Sequence, residues 1–269
     1  MDIMNTSVID GDALELLTPP ETEVLDDCKG SGMDLLEHIL FINLEQRTDR
    51  LIHIHNEFEK LGIENAERMN AVKTANGAIG CTLSHIKCIE KAKQQKWEYV
   101  CVMEDDIVFT NPILFMNSLD KFYHEYHSKG LPWKVLILGG NACPPYEMIG
   151  DYMIRVINCQ TTTGYICHSS YYDTLLQNFK ESADNLVKTG IKQHFALDVY
   201  WKRLQYSSRQ WYMLYPPTIT QMDGHSDIEN RSISYTHLML DLEKRWLFER
   251  PVMPMSIGSS TSPNISNRN

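Results

Sequence analysis

No run of roughly 18 apolar residues occurs in the 269-residue chain, so a membrane-spanning helix is not expected. The N-terminus, MDIMNTSVIDGDALELL, lacks the basic start and apolar core of a secretory signal. A disulfide framework is missing too. The seven cysteines (28, 81, 88, 101, 143, 159 and 167) are odd in number, scattered, and never spaced as CxxC. These absences point to a reduced, cytoplasmic chain. Neither a dinucleotide fingerprint nor a P-loop is present. His124 and His127 form HExH and not HExxH, which reads as a solvated helix face.

Positive charge is also scarce. The formal net charge is −10, and residues 1–37 hold ten acids against one base, Lys29, so that segment carries −9 and the remainder about −1. With no basic field, nucleic acid is not an expected partner. The acidic leader, 1–37, also contains Thr-Pro-Pro and Gly-Ser-Gly, a composition that rarely folds alone. The tail, 251–269, is rich in Ser, Pro and Asn and reads as disordered. Between them, residues 38–250 are expected to form one domain, and the 43% apolar content suffices for a sizeable core.

What remains is an alternation of strand and helix signals. Ile39–Asn43, Tyr99–Met103, Val135–Leu138 and Trp211–Tyr215 are short apolar runs suited to buried strands. Thr48 is placed to cap one helix, and Pro112 to start another. Gly77–Gly80 reads as a turn before a helix, Gly139-Gly140 as a turn after a strand, and Leu197–Leu204 as a helix. The pattern predicts an α/β fold whose central sheet is mostly parallel and flanked by helices on both faces. Ligands in such sheets bind beyond the carboxyl ends of the strands, which selects Asn43, Glu104–Asp106 and Gly139–Asn141.

Glu104-Asp105-Asp106 is the sharpest chemical signal. Along an extended strand Glu104 and Asp106 share a side and Asp105 takes the other, and the ~3.3 Å rise sets the first two ~7 Å apart. Two carboxylates so placed suit a hard cation, Mn²⁺ or Mg²⁺, that also binds phosphate oxygens. A solvated acidic turn is the competing reading. Arg47 and Arg50 stand at i and i+3 near a helix start, where amides already favour anions. Gly77 and Gly80 permit close backbone approach to a ligand, ahead of Ser84 and His85. Cys81 and Cys88 are expected to be packed, not reactive.

Three segments, FINLEQRTDR, GAIGCTLSHIKCIEKA and YVCVMEDDIVF, come in an order and spacing that resembles glycosyltransferase family 25, the lipooligosaccharide and procollagen galactosyltransferase-like group. TTTGYICHSSYYDTLL, ALDVYW and YPPTITQMDGHSDIENR are similar to later motifs of that family. The chain looks like the compact bacterial form or the form encoded by large DNA viruses, the latter implying host cytoplasm. The resemblance implies a GT-A-like fold, a UDP-sugar donor carrying galactose or glucose, a glycan or protein hydroxyl acceptor, Mn²⁺ or Mg²⁺, and inversion at the anomeric carbon. Carried over by position, Glu104, Asp106 and His225 are the metal candidates. Asn43, Arg47, Arg50, Gly77, Gly80, Ser84, His85, Asp105, Thr163 and Gly164 are placed by the nucleotide-sugar. Asp198 is the candidate general base, and a plain helix-capping role is its alternative. A non-catalytic domain that binds a glycan or partner is the other reading of the chain.

Overall fold

A computed structural model of the chain describes residues 30–226 and 231–247. In chain order the elements are β1 (Ile39–Asn43), α1 (Thr48–Glu59), β2 (Ala66–Asn70), α2 (Gly77–Gln95), β3 (Tyr99–Glu104), β4 (Ile107–Phe109), α3 (Pro112–Phe122), β5 (Val135–Ala142), β6 (Glu147–Ile149), β7 (Met153–Arg155), β8 (Cys159–His168), α4 (Tyr172–Thr189), α5 (Lys192–Phe195), α6 (Leu197–Tyr200), α7 (Lys202–Ser208), β9 (Trp211–Leu214), β10 (Ile219–Gln221), β11 (Gly224–Ser226), β12 (Arg231–Ile233) and α8 (Thr236–Leu240). Most of the expected leader and all of the expected tail lie outside the described residues. Residues Gly32–Leu36 form a 3₁₀ turn with Leu35 and Leu36 buried, so the packed body starts a little before residue 38.

Eight strands make one sheet in the order β2-β1-β3-β8-β5-β9-β7-β6. β1 is parallel to β2 and β3, and β5 is parallel to β9. Antiparallel β8 separates β3 from β5, and β7 runs against both β9 and β6. Six strands therefore point one way and two, β8 and β7, point back. The predicted mostly parallel sheet is the one observed. Every residue of β1 is buried, as expected for a strand covered on both faces.

Helices cover both faces. Ile86, Ile89 and Ala92 of α2 join Leu175 and Phe179 of α4 over Val100 and Val102. On the other face Ile54 and Phe58 of α1 join Phe115, Leu119 and Phe122 of α3 over Cys101 and Met103. Neighbouring positions of β3 thus feed opposite cores, the alternation that sheet geometry demands. Each fully buried Leu, Ile or Phe contributes ~1.5–3 kcal/mol, so these two layers dominate the stability.

Two turn expectations are corrected. Strand β5 does not end at Gly139-Gly140 but runs on to Ala142. A Cβ on Gly139 would stand 2.3 Å from Ile219 Cγ2, so glycine here admits the crossing of β10 over the sheet. Likewise Gly77–Gly80 is no turn but the first turn of α2, capped by Asn76, whose side chain accepts from the Ala78 N–H. The expected helix at Leu197–Leu204 is broken at Trp201 into α6 and α7. Arg47, not Thr48, occupies the cap position of α1.

Candidate active site

Because β1, β2 and β3 are parallel, their carboxyl ends and the loops that follow gather at one edge of the sheet. Antiparallel β8 brings its opposite end, Gln160–Thr162, to the same edge. A cavity of about 600 Å³ opens there. Arg47, Arg50, Gly77, Gly80, Ser84, His85, Glu104, Asp105, Asp106 and Asp198 all line it. Asn43, Thr163 and Gly164 do not line it, although the resemblance placed them by the nucleotide-sugar.

The acidic triplet straddles the end of β3 and a tight turn into β4. Glu104 and Asp106 face a common point. Gln221 Nε2 donates to Glu104 Oε2 at 3.2 Å and to Asp106 Oδ1 at 3.3 Å. The small antiparallel pair of β4 with β10 sets Gln221 opposite Ile107, which carries it to the triplet. Asp105 turns aside, as alternation requires, and accepts from Asn43 Nδ2 at 2.6 Å and from Arg50 Nη1 at 2.9 Å. The same Arg50 nitrogen reaches Asp106 Oδ2 at 3.0 Å.

These carboxylates are held differently. Burial works to raise the pKa of Glu104, but hydrogen bonds from His85 and Thr162 and the charge of Arg50 outweigh it, and the net shift is down. Burial and the nearby Glu104 charge push Asp106 up to about 7, only partly relieved by Arg50. Desolvation and like charge separate the two titrations, the usual outcome when two carboxylates share one site. The pair is short of positive charge, and its oxygen donors converge beside open space. That donor set fits a hard divalent cation.

Helix α2 forms one wall. Ser84 Oγ accepts from the Val72 N–H at 2.8 Å and donates to the Gly80 carbonyl at 2.7 Å. A Cβ on Gly80 would meet the Val72 carbonyl oxygen at 2.3 Å. The close approach that this glycine allows is therefore to the loop after β2, and Ser84 bolts that loop down. His85 is fully buried, with Nδ1 3.0 Å from Tyr165 Oη and Nε2 3.3 Å from Glu104 Oε1. Arg47 pairs with Asp49 at 2.8 Å, at the rim.

Across the cavity, Asp198 lies in the first turn of α6. Its Oδ2 accepts from the backbone N–H of Thr161 at 3.1 Å, a partner on β8 and not on its own helix. Burial raises its pKa, the Thr161 hydrogen bond opposes that, and the Glu104 charge adds to it. Thr161 has φ 66°, a conformation costly for a β-branched residue and common where ligands bind. Thr163 and Gly164 sit one step further along β8, both within the packed sheet. It is Thr162, not Thr163, that donates to Glu104 Oε1, at 2.6 Å. Asn43 supports Asp105 from beneath and has a buried Oδ1 without a partner among the described residues. His225 falls in β11, but its side chain lies outside what the structure describes.

Gln221, Thr162 and Thr161 carry no chemical signature in the sequence, and their place beside the acids comes only from strand pairing. Cys81 packs against the core as expected and also lines the cavity, with its Sγ 3.9 Å from Glu104 Oε1. Cys88, one turn and more away, is packed as expected.

Residues 69–138 match the family model described as Glycosyltransferase family 25 (LPS biosynthesis protein). The chain is also 30% identical to a Glycosyltransferase 25 family member of Drosophila pseudoobscura pseudoobscura over a stretch covering 28% of this chain. Over these stretches the chain is similar to glycosyltransferase family 25. It spans 16% of the length of that curated relative. Among solved structures, a glycosyltransferase involved in glycosylation of the major capsid of PBCV-1 aligns at TM-score 0.39 and 10% identity, over 72% of this chain and 95% of that one. A Drosophila β1,4-galactosyltransferase 7 variant in complex with manganese, UDP-Gal and xylobiose aligns at TM-score 0.32 and 11% identity, over 86% and 81% of the two chains. The fold itself is read from the strand order. The stretch matched by the family model runs from β2 into β5, so it holds α2 and the acidic triplet. Arg50, Asp198 and Gln221 complete the cavity from outside that stretch.

Proposed function

We propose that this chain is a metal-dependent, inverting glycosyltransferase of GT-A type that moves galactose or glucose from a UDP-sugar to a hydroxyl of a glycan or protein. The observation that carries the reading is the convergence of Glu104 and Asp106 on one point at the floor of a cavity that Asp198 also lines. In this reading Glu104 and Asp106 hold Mn²⁺ or Mg²⁺, which offsets charge on the departing diphosphate. Arg50, already seated between Asp105 and Asp106, and Arg47 at the rim give the nucleotide two further cationic contacts.

Inversion requires a base that takes the acceptor hydroxyl's proton as the oxygen attacks. Asp198 suits that task. Burial raises its pKa, and the Thr161 N–H fixes its Oδ2 beside the cavity. The buried surroundings limit competing attack by water.

A donor screen tests the proposal. Purified chain is incubated with UDP-hexoses and Mn²⁺, with UDP release followed and thermal shift read with UDP plus Mn²⁺. Release with at least one donor supports the reading. A shift without release under any donor and acceptor tried would instead point to a binding domain, and neither signal would remove the proposal.

A further inference from the structure

We propose that Cys81, His85 and Glu104 form a second cation site, selective for borderline ions such as Zn²⁺, that shares the Glu104 carboxylate with the oxygen pair, Oε1 facing Cys81 and His85 and Oε2 facing the point shared with Asp106. One ligand atom from each of the three residues lies within 4.8 Å of the other two. The measured separations suit one small ion. Zn–N and Zn–O bonds of ~2.1 Å and a Zn–S bond of ~2.3 Å set tetrahedral edges of ~3.4 Å for N···O and ~3.6 Å for S···O. The observed values are 3.3 Å from His85 Nε2 to Glu104 Oε1 and 3.9 Å from Cys81 Sγ to the same oxygen.

The local structure explains why these atoms meet. Cys81 and His85 stand at i and i+4 on α2, hence on one face, and that face looks onto the end of β3. Tyr165 Oη holds His85 Nδ1 at 3.0 Å and so aims Nε2 at the site. A hydroxyl donates or accepts, so the imidazole keeps this bond in the tautomer that frees Nε2 for a metal. Thr162 Oγ1 fixes Glu104 Oε1 in turn. An orienting partner behind a ligating histidine and another behind a ligating carboxylate are what tuned metal centres need. Three protein ligands beside a cavity leave a fourth position open.

Ligand chemistry separates the two sites. Thiolate with imidazole favours Zn²⁺ or Co²⁺, whereas Mn²⁺ and Mg²⁺ favour the oxygens of Glu104 and Asp106. Binding at the sulfur site releases the Cys81 proton to solvent, so its affinity falls as pH falls. That an ion at this site alters turnover through Glu104 rests on the glycosyltransferase reading; the coordination itself does not.

The test is spectroscopic and needs no donor. The full chain, stripped with a chelator, is titrated with Co²⁺, and the thiolate-to-Co²⁺ charge-transfer absorption in the near ultraviolet is recorded. The native chain should show this absorption at one equivalent, and Zn²⁺ should bleach it. Cys81→Ser should lose it while keeping native circular dichroism. His85→Gln should weaken Co²⁺ binding at least tenfold, and Asp106→Asn should leave the absorption in place. Absence of the band in the native chain, or its persistence in Cys81→Ser, overturns the site.

Discussion

The two ends of the sheet use similar residues to opposite effect. At the carboxyl ends of β1 and β3, the carboxylates of Glu104, Asp105 and Asp106 and the guanidiniums of Arg47 and Arg50 line the cavity. At the other end, Tyr99, His127, Trp133 and His168 close on one another. Tyr99 stacks on Trp133 at 5.9 Å between centroids, His168 meets the Trp133 edge at 5.5 Å, and Trp133 Nε1 donates to His127 Nδ1 at 3.2 Å. The expected solvated HExH face is thus partly inverted, since His127 serves the aromatic cluster. Burial lowers the pKa of both His127 and His168, which favours the neutral rings that pack well. Polar groups at the far end satisfy each other. Those at the cavity end keep like charges together that Arg50 only partly offsets among the described residues. Unbalanced like charge, and not the mere presence of polar residues beside a cavity, distinguishes the site, since the far end borders a cavity of about 500 Å³ too.

The largest effect that would break this contrast is on Asp106. Asp106→Asn should lower UDP release by ~10³-fold or more, because a lost cation contact removes several kcal/mol of transition-state stabilisation. Its melting temperature in the absence of cations should stay level or rise, since a buried like-charge pair is relieved. A variant with full activity would dismiss the oxygen pair as a cation site. Next, Asp198→Asn should cut kcat by ~10²–10³-fold with little change in the Michaelis constant for donor. An unchanged kcat would return Asp198 to a structural role at the start of α6.

At the far end the order of effects reverses. Trp133→Ala should destabilise the fold by ~3–5 kcal/mol in urea unfolding, yet leave UDP and Mn²⁺ affinity as it was. A loss of donor affinity there would mean that the two ends are coupled. The smallest effect concerns pH. A carboxyl whose folded pKa stands above its unfolded value favours the fold when protonated, so its contribution is largest at low pH and is lost as pH rises through about 7. Without cations, the melting temperature should therefore drop more steeply between about pH 4 and pH 7 in the native chain than in Asp106→Asn. Parallel slopes would assign the shift to another group.

Much of this was legible in the chain. The apolar runs announced β1, β3 and β5, and the acidic triplet announced the floor of the cavity, because burial and charge are properties of local composition. Gly80 and Ser84 line the cavity as expected, but their contacts with Val72, and that of Gly139 with Ile219, come from other segments and were not legible.

What the sequence by itself determined is the α/β alternation, the two buried faces of the sheet, and the adjacency of three carboxylates at a strand end. Periodicity and hydrophobic burial act over a few residues, and a chain states them directly. Only the tertiary structure decided that Gln221 bridges Glu104 and Asp106, that Thr161 holds Asp198, and that Cys81 faces the cavity. Those contacts depend on which strand lies beside which and on where α2 meets β3. Strand order and register are settled by the packing of the whole core, and no short stretch of the chain encodes them.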